Sequence, residues 1–472
     1  MKHCSNRALR ETLHRAYVVA ASQPPHDNVP VIHEILCLRK EQAQLLGLDS
    51  FAELSLATKM APSVEAVETM IESLQGEFLA ASKAEIASLE AFATTHGQPE
   101  QLQAWDIAYW SEQVQRADFD FKEEDVAQYF PLQRVLDAIF ELTKQLFGVR
   151  IEMADGKVDT WHPDVHFFEM RAMDEPGEPV IAAFYLDLFA RPGEKIRGAW
   201  MEAFVNRSEV FGTETMHVRV PVYCLGVNLT QPTYDGPCLM TVRDLTLLFN
   251  VFGYGLRMAL TCANYTASSS PNVIEWDCFE LTGELMKKFL FDRETMQAMS
   301  GHVVTGEPLT DAMFDNLVAS MRMMEATEFL RRKVQFAAAD MALHHHYDPV
   351  SNPDASIFDV YAELAPRFQV VAPLADDRIL CRLIQIFSDG CGASYYGYVW
   401  SDMLASDTYA EIEKAKTCDA RAKCGRKFRD TVLALSGSVD SNQLFESFLG
   451  RPPNPEALLN QLGFTQNTIR HH

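Results

Sequence analysis

His344-His345-His346 is the densest run of metal-binding side chains in the sequence, and adjacent imidazoles can chelate an ion. Three consecutive helical residues point in different directions, however, so the run is expected as a solvent-facing cluster at a helix end. Cys418 and Cys424 are the nearest pair among ten cysteines. With no CxxC pair and no repeated spacing, the thiols are expected to be unrelated packing or surface residues rather than a redox or metal pair. His162 and His166 are expected to satisfy local hydrogen bonds. No Gly-rich phosphate loop stands between a strand and a helix, and no nucleophile elbow occurs, so neither nucleotide chemistry nor that serine-hydrolase arrangement has a basis here.

The elements that would position such residues are mostly helical. From Asn6 to about Gly148 apolar residues recur at three and four. Ser63 opens a run in which Val67, Met70, Ile71, Leu74, Phe78, Ile86, Leu89 and Phe92 keep that spacing until Gly97, predicting one long helix with Ser63 as N-cap. Shorter helices are predicted over 30–46, 51–60, 105–114 and 132–147. Between Val149 and Leu229 short runs of Val, Phe, Tyr and Ile alternate with turn signals. Val165–Arg171 and Val180–Leu188, joined across Pro176-Gly177, read as an antiparallel hairpin, and His217–Val227 as a further strand. Thr241 with Asp244 three residues on begins another helix, whose stripe is Leu245, Leu248, Phe249, Phe252, Leu256 and Leu260. Helices then dominate to the end.

Several stretches, spread nearly end to end, resemble the thimet oligopeptidase and oligopeptidase A family of zinc metallopeptidases. They include Ser55-Leu-Ala-Thr-Lys-Met-Ala61, Trp105-Asp-Ile-Ala-Tyr109, Trp161-His-Pro-Asp-Val165, Phe184-Tyr-Leu-Asp-Leu188, Glu275-Trp-Asp277, Tyr395-Tyr-Gly-Tyr398 and Arg426-Lys-Phe-Arg-Asp430. The resemblance implies a mainly α, multi-helical oligopeptidase-like fold of zincin type, with a small antiparallel β-sheet beside the former active-site cleft. A helical region 1–148, a sheet region 149–230 and a helical region 231–472 would be parts of one catalytic domain.

In that family a helix carries His-Glu-Phe-Gly-His, because residues i and i+4 share a helix face: two imidazoles reach one zinc while the intervening Glu holds the attacking water. Here the matching phrase is Leu248-Phe-Asn-Val-Phe-Gly-Tyr-Gly-Leu256. Asn250 and Tyr254 stand where the two His would be, and Val251 where the catalytic Glu would be. Glu280 matches the third ligand, which leaves one ligand position of three. Glu280 is expected to accept a hydrogen bond from Tyr254 or a nearby donor. An amide, a neutral phenol and one carboxylate make a poor zinc site, and Val251 cannot take a proton from water. The expectation is therefore no zinc and no other cofactor.

On the substrate side, the family places His and Tyr residues that bond the peptide carbonyl and the developing oxyanion in a segment similar to 385–398. Gln385 stands near the usual His, Cys391 replaces the first Tyr, and Tyr395 and Tyr398 persist. The two tyrosines either still line a groove or are packed helix aromatics with a polar tip.

The charge balance of 41 Lys and Arg against 65 Asp and Glu, −24 in all, repels phosphate backbones and argues against nucleic acid as a direct partner. No apolar run reaches the roughly 18 to 20 residues of a membrane span, and no secretory signal precedes the first helix. An intracellular, soluble and reducing location is expected, in the cytosol or in a mitochondrial or plastid matrix. The resemblance starts partway into the family pattern, so the preceding helical layer is truncated, separate or lost, and the apolar faces it would cover call for protein partners. Taken together, these readings predict a catalytically inactive scaffold or interaction subunit, possibilities beside it being a metalloendopeptidase of weak or unconventional activity and a protein that binds short peptides without cutting them.

Overall fold

The computed structural model describes residues 1–98, 100–118, 122–212, 217–232, 236–352, 354–388 and 390–463. In chain order the elements that bear on function are helices α1 (Val29–Leu45), α2 (Val64–Thr95) and α3 (Leu132–Phe147). Strands β1 (Val149–Met153), β2 (Val165–Ala172), β3 (Val180–Phe189), β4 (Trp200–Val205) and β5 (Val222–Leu229) follow. Then come helices α4 (Val242–Leu260), α5 (Leu281–Lys288) and α6 (Gln335–Met341). The chain forms two compact units: Met1–Phe121 with Ala319–Trp400 and Leu462–His472, and Lys122–Val318 with Ser401–Gln461. The fold is mainly helical, with the small sheet in the second unit.

In the first unit the long helix appears where the spacing predicts it. Ser63 accepts the Ala66 N–H as N-cap, and Val67, Met70, Ile71, Leu74, Phe78, Ile86 and Leu89 are buried along one stripe. Phe78 stacks on Phe329 at 4.4 Å between ring centroids. Glu85 accepts hydrogen bonds from the backbone of Ala326 and Thr327 and from the Thr327 hydroxyl, which satisfies the exposed N–H groups that open the helical stretch from Glu325 to His346. Ile32 and Leu36 of α1 pack with Ala339, Leu343, Tyr361, Leu380 and Ile386 in a second apolar cluster. The helix predicted to reach Met60 ends at Leu56, where the chain turns to enter the Ser63 cap.

In the second unit α3 ends on Gly148 at φ +68°, the left-handed conformation that glycine adopts without strain, and its N–H closes on the Lys144 carbonyl. The hairpin β2–β3 turns through Gly177 at φ +82° as expected. The sheet itself differs from the antiparallel one predicted. It has five strands in the order β1-β2-β3-β5-β4, and β3 pairs with β5 in parallel. The chain passes from β3 to the edge strand β4 and reverses again, so β5 enters beside β3 in the same direction; local patterns cannot show such a pairing. The strands β1 and β4 were not foreseen, and the third predicted strand begins at Val222 rather than His217.

Helix α4 opens with a complete capping box, Thr241 and Asp244 exchanging side-chain to backbone bonds. Its apolar stripe is buried, and it lies close on the sheet: a Cβ on Gly255 would come within 2.8 Å of the Tyr223 ring and 3.1 Å of Leu225 on β5. A small sheet therefore does flank the helix that carries Asn250, Val251 and Tyr254. Among the described residues no helix is long and apolar enough to cross a membrane.

Candidate functional site

Asn250 and Tyr254, one helical turn apart on α4, share the face turned toward the start of α5. The two helices approach closely because glycine lies on both sides. A Cβ on Gly283 would meet Asn250 Nδ2 at 2.5 Å and Tyr254 Cε1 at 2.7 Å, while one on Gly253 would fall on the Thr282 carbonyl. The Tyr254 hydroxyl donates to Glu280 Oε2, the residue that precedes α5. Burial, and next the adjacent carboxylate, push the Tyr254 phenol well above its ordinary range, so it is neutral. Val251 is wholly buried in the core.

Around this pair lie charged groups that sequence reasoning did not assign. Glu284, buried one turn beyond Glu280, pairs with Lys287 at 2.7 Å. Lys288 Nζ donates to Asp402 at 2.6 Å, and the Ser401 hydroxyl donates to the Asp277 carbonyl at 2.6 Å. Arg257, one turn after Tyr254, is buried: Nη2 donates to the Cys278 carbonyl at 2.7 Å and the guanidinium lies over Phe279, but among the described residues Nη1 has no hydrogen-bond partner. A lone Arg within the apolar stretch 256–260 was the available signal. Burial pushes the Cys278 thiol up to about 12.

The substrate-side candidates lie in the first unit. Gln385 is half-buried and its carbonyl accepts the Cys391 N–H at 3.1 Å; Cys391 is buried. Tyr395 and Tyr398 are half-buried, with ring centroids 4.9 Å apart, edge to face. The Tyr395 hydroxyl donates to the Arg332 carbonyl at 3.2 Å, and burial pushes its phenol up to about 12. The histidine run departs from expectation. His344 is buried, His345 bonds Ser50 at 2.9 Å, and only His346, beside Glu68, is exposed. A stretch that stays helical through His346 turns its first imidazole inward while the last faces water. His162 and His166 meet local partners, the Asp164 N–H and the Asp155 carboxylate. None of the ten cysteines is joined in a disulfide.

The chain belongs to peptidase family M3, whose profile matches residues 1–464. It is 39% identical over 467 residues to organellar oligopeptidase A, chloroplastic/mitochondrial, of Arabidopsis thaliana, which covers 98% of this chain and 58% of that protein. It is 36% identical over 470 residues to oligopeptidase A of Salmonella typhimurium, covering 98% of this chain and 67% of the relative. The chain thus spans about three fifths to two thirds of these relatives' length. In fold it is similar to PZ peptidase A solved with an inhibitor, with a TM-score of 0.59 at 14% identity over 96% of this chain and 68% of that one.

These findings correct two expectations. Relatives at 35–39% identity over 98% of the chain are named as oligopeptidases, which overturns the reading as an inactive scaffold and non-enzyme. The expectation that no cofactor belongs to the chain falls with it, since zinc is the group that membership of this family of metallopeptidases implies. The four residues that the resemblance aligns with a metal site do not themselves fit zinc. Asn250 offers an amide and Tyr254 a neutral phenol committed to Glu280, and Val251 offers no donor; Glu280 alone has ligand chemistry. Among the described residues no three His, Cys, Asp or Glu side chains converge so as to hold an ion.

Proposed function

We propose that the chain acts on short peptides as an endopeptidase of weak or unconventional activity. The observation that carries this reading is the 35–39% identity to oligopeptidase A proteins across 98% of the chain. Gln385, Cys391, Tyr395 and Tyr398 are the candidate peptide-facing group, supported by the half-burial of the two tyrosines, whose rings meet edge to face. At position 251 there is no group to take a proton from water, and loss of a general base costs about 10²- to 10⁴-fold. The expected rate lies that far below the rate of oligopeptidase A.

The test is cleavage of short fluorogenic peptides by purified protein, with added zinc and with a chelator, beside oligopeptidase A. Slow turnover is the expected result, and the zinc and chelator arms report whether a metal takes part in it. Turnover no faster than the uncatalysed rate in every condition overturns it, and calorimetry with the same peptides then shows whether recognition alone survives. We place the protein in a reducing intracellular compartment, supported by ten cysteines outside any disulfide and by relatives named as chloroplastic/mitochondrial or cytosolic. Protein partners are part of the proposal, supported by the exposed Val31, Leu38 and Leu45 that recur every seven residues along α1.

A further inference from the structure

Asp340 and His344 stand on successive turns of the helical stretch that ends at His346, and His344 lies where that stretch widens into a π-type turn, Ala342–His346. Such turns recur at functional sites because they displace one side chain from the regular helix face. His344 Nδ1 is 2.8 Å from Asp340 Oδ1, and its Nε2 is 2.8 Å from Arg39 Nη1 on α1. A guanidinium only donates, so Nε2 accepts, and the Nδ1–H is directed at Asp340, whose backbone carbonyl lies at 3.0 Å beside the carboxylate oxygen at 2.8 Å.

The two ends of this relay grip the same segment. Arg39 donates to the carbonyls of Ile386 at 2.7 Å and Phe387 at 3.0 Å. Asp340 accepts the N–H groups of Ala393 and Tyr395, each at 2.8 Å. Between them, a Cβ on Gly392 would come within 2.6 Å of the Arg39 guanidinium, and Ala393 is held at φ +53°, a left-handed conformation that non-glycine residues rarely adopt. Apolar side chains would fill this interior at lower desolvation cost than a carboxylate, an imidazole and a guanidinium. What the charged trio supplies is a hold on the backbone at Ile386 and Phe387 on one side and at Ala393 and Tyr395 on the other.

We propose that Arg39, His344 and Asp340 are positioning residues that fix the segment bearing Cys391, Tyr395 and Tyr398 for peptide recognition. The inference rests on the reading of that segment as peptide-facing, and the experiment separates the two. Cys391 is buried within the gripped segment and Cys381 is buried just before it, so alkylation followed by mass spectrometry reports on each independently. In His344→Gln, loss of a hydrogen bond to a charged group should speed alkylation of Cys391 by roughly ten- to a hundredfold through local opening, with Cys381 unchanged. Arg39→Lys, which keeps the charge and loses the fork, should do the same and carries the test should His344→Gln fail to fold. Equal acceleration at Cys381 and Cys391, or none at Cys391 in folded variants, overturns the relay. In the unsubstituted protein a saturating nonapeptide of mixed sequence should slow Cys391 alkylation; an unchanged rate refutes the peptide-facing reading without touching the relay result.

Discussion

The Tyr254 hydroxyl offers a clean measurement of how α4 is tied to the start of α5. Tyr254→Phe removes one oxygen and keeps the ring, which lies 5.6 Å from Phe279 between centroids and against Gly283, so no cavity larger than a hydroxyl is made. What is lost is a hydrogen bond to a carboxylate, about 1.5–3 kcal/mol in general. Glu280 is half-buried and partly reached by water, which puts the expected loss near the lower end. At about 2–4 °C per kcal/mol for a unit of this size, the melting temperature at pH 7 should fall by about 3–6 °C. Near-ultraviolet circular dichroism is a suitable assay, because Trp276 stacks on Phe279 at 5.1 Å beside the altered ring.

A second readout has a definite sign. The Tyr254 phenol is raised well above its ordinary value in the folded protein, by burial first and by Glu280 next. The unfolded chain therefore loses this proton first as pH rises past about 10, and the folded state loses stability from there up to the folded value. Tyr254→Phe lacks that alkaline loss. A variant with the same melting temperature at pH 7 and the same alkaline decline as the parent would refute the coupling of α4 to Glu280.

Asp187→Asn should cost about 3–5 kcal/mol in urea denaturation, because it leaves the buried Lys195 without the carboxylate it meets at 2.9 Å and weakens the bonds from Arg191 and Trp161. Burial raises the Asp187 carboxyl, but its bonds to Arg191, Lys195 and Trp161 outweigh this and hold it below the ordinary range. Its contribution is thus present above about pH 4 and lost as pH falls through the lower folded value, so the gap between parent and variant should close in acid; a constant gap would count against the ion-pair account. Gly253→Ala should destabilise more than Gly283→Ala, since its methyl would fall on the Thr282 backbone whereas the other meets side-chain atoms of Asn250 and Tyr254. Equal urea midpoints for the two variants would show that the contact between α4 and α5 is looser than described.

Much of the architecture was legible because it is written in local periodicity. The Ser63 cap and the stripe from Val67 to Leu89, the Thr241–Asp244 box, and the hairpin across Pro176-Gly177 each depend on residues within a few positions of one another. Asn250, Val251, Tyr254 and Glu280 could be placed because a residue-by-residue resemblance aligned them, and helical spacing put the first and third on one face. The step from those positions to an inactive scaffold failed for a different reason. Four residues describe one patch of chemistry, whereas similarity over the whole chain speaks to the reaction class of the family.

Tertiary structure alone decided which groups meet across long separations in sequence. The parallel pairing of β3 with β5 arises because β4 lies outside both at the sheet edge, a matter of chain path. His344 looked like one of three exposed imidazoles until Arg39, some three hundred residues earlier, was found on its far nitrogen. The same holds for Asp340, whose role is set by the N–H groups of Ala393 and Tyr395. Hydrogen bonds and ion pairs act over a few ångströms, so the sequence by itself determined the helices and their apolar faces, while only the folded chain determined which polar atoms those faces bring within reach.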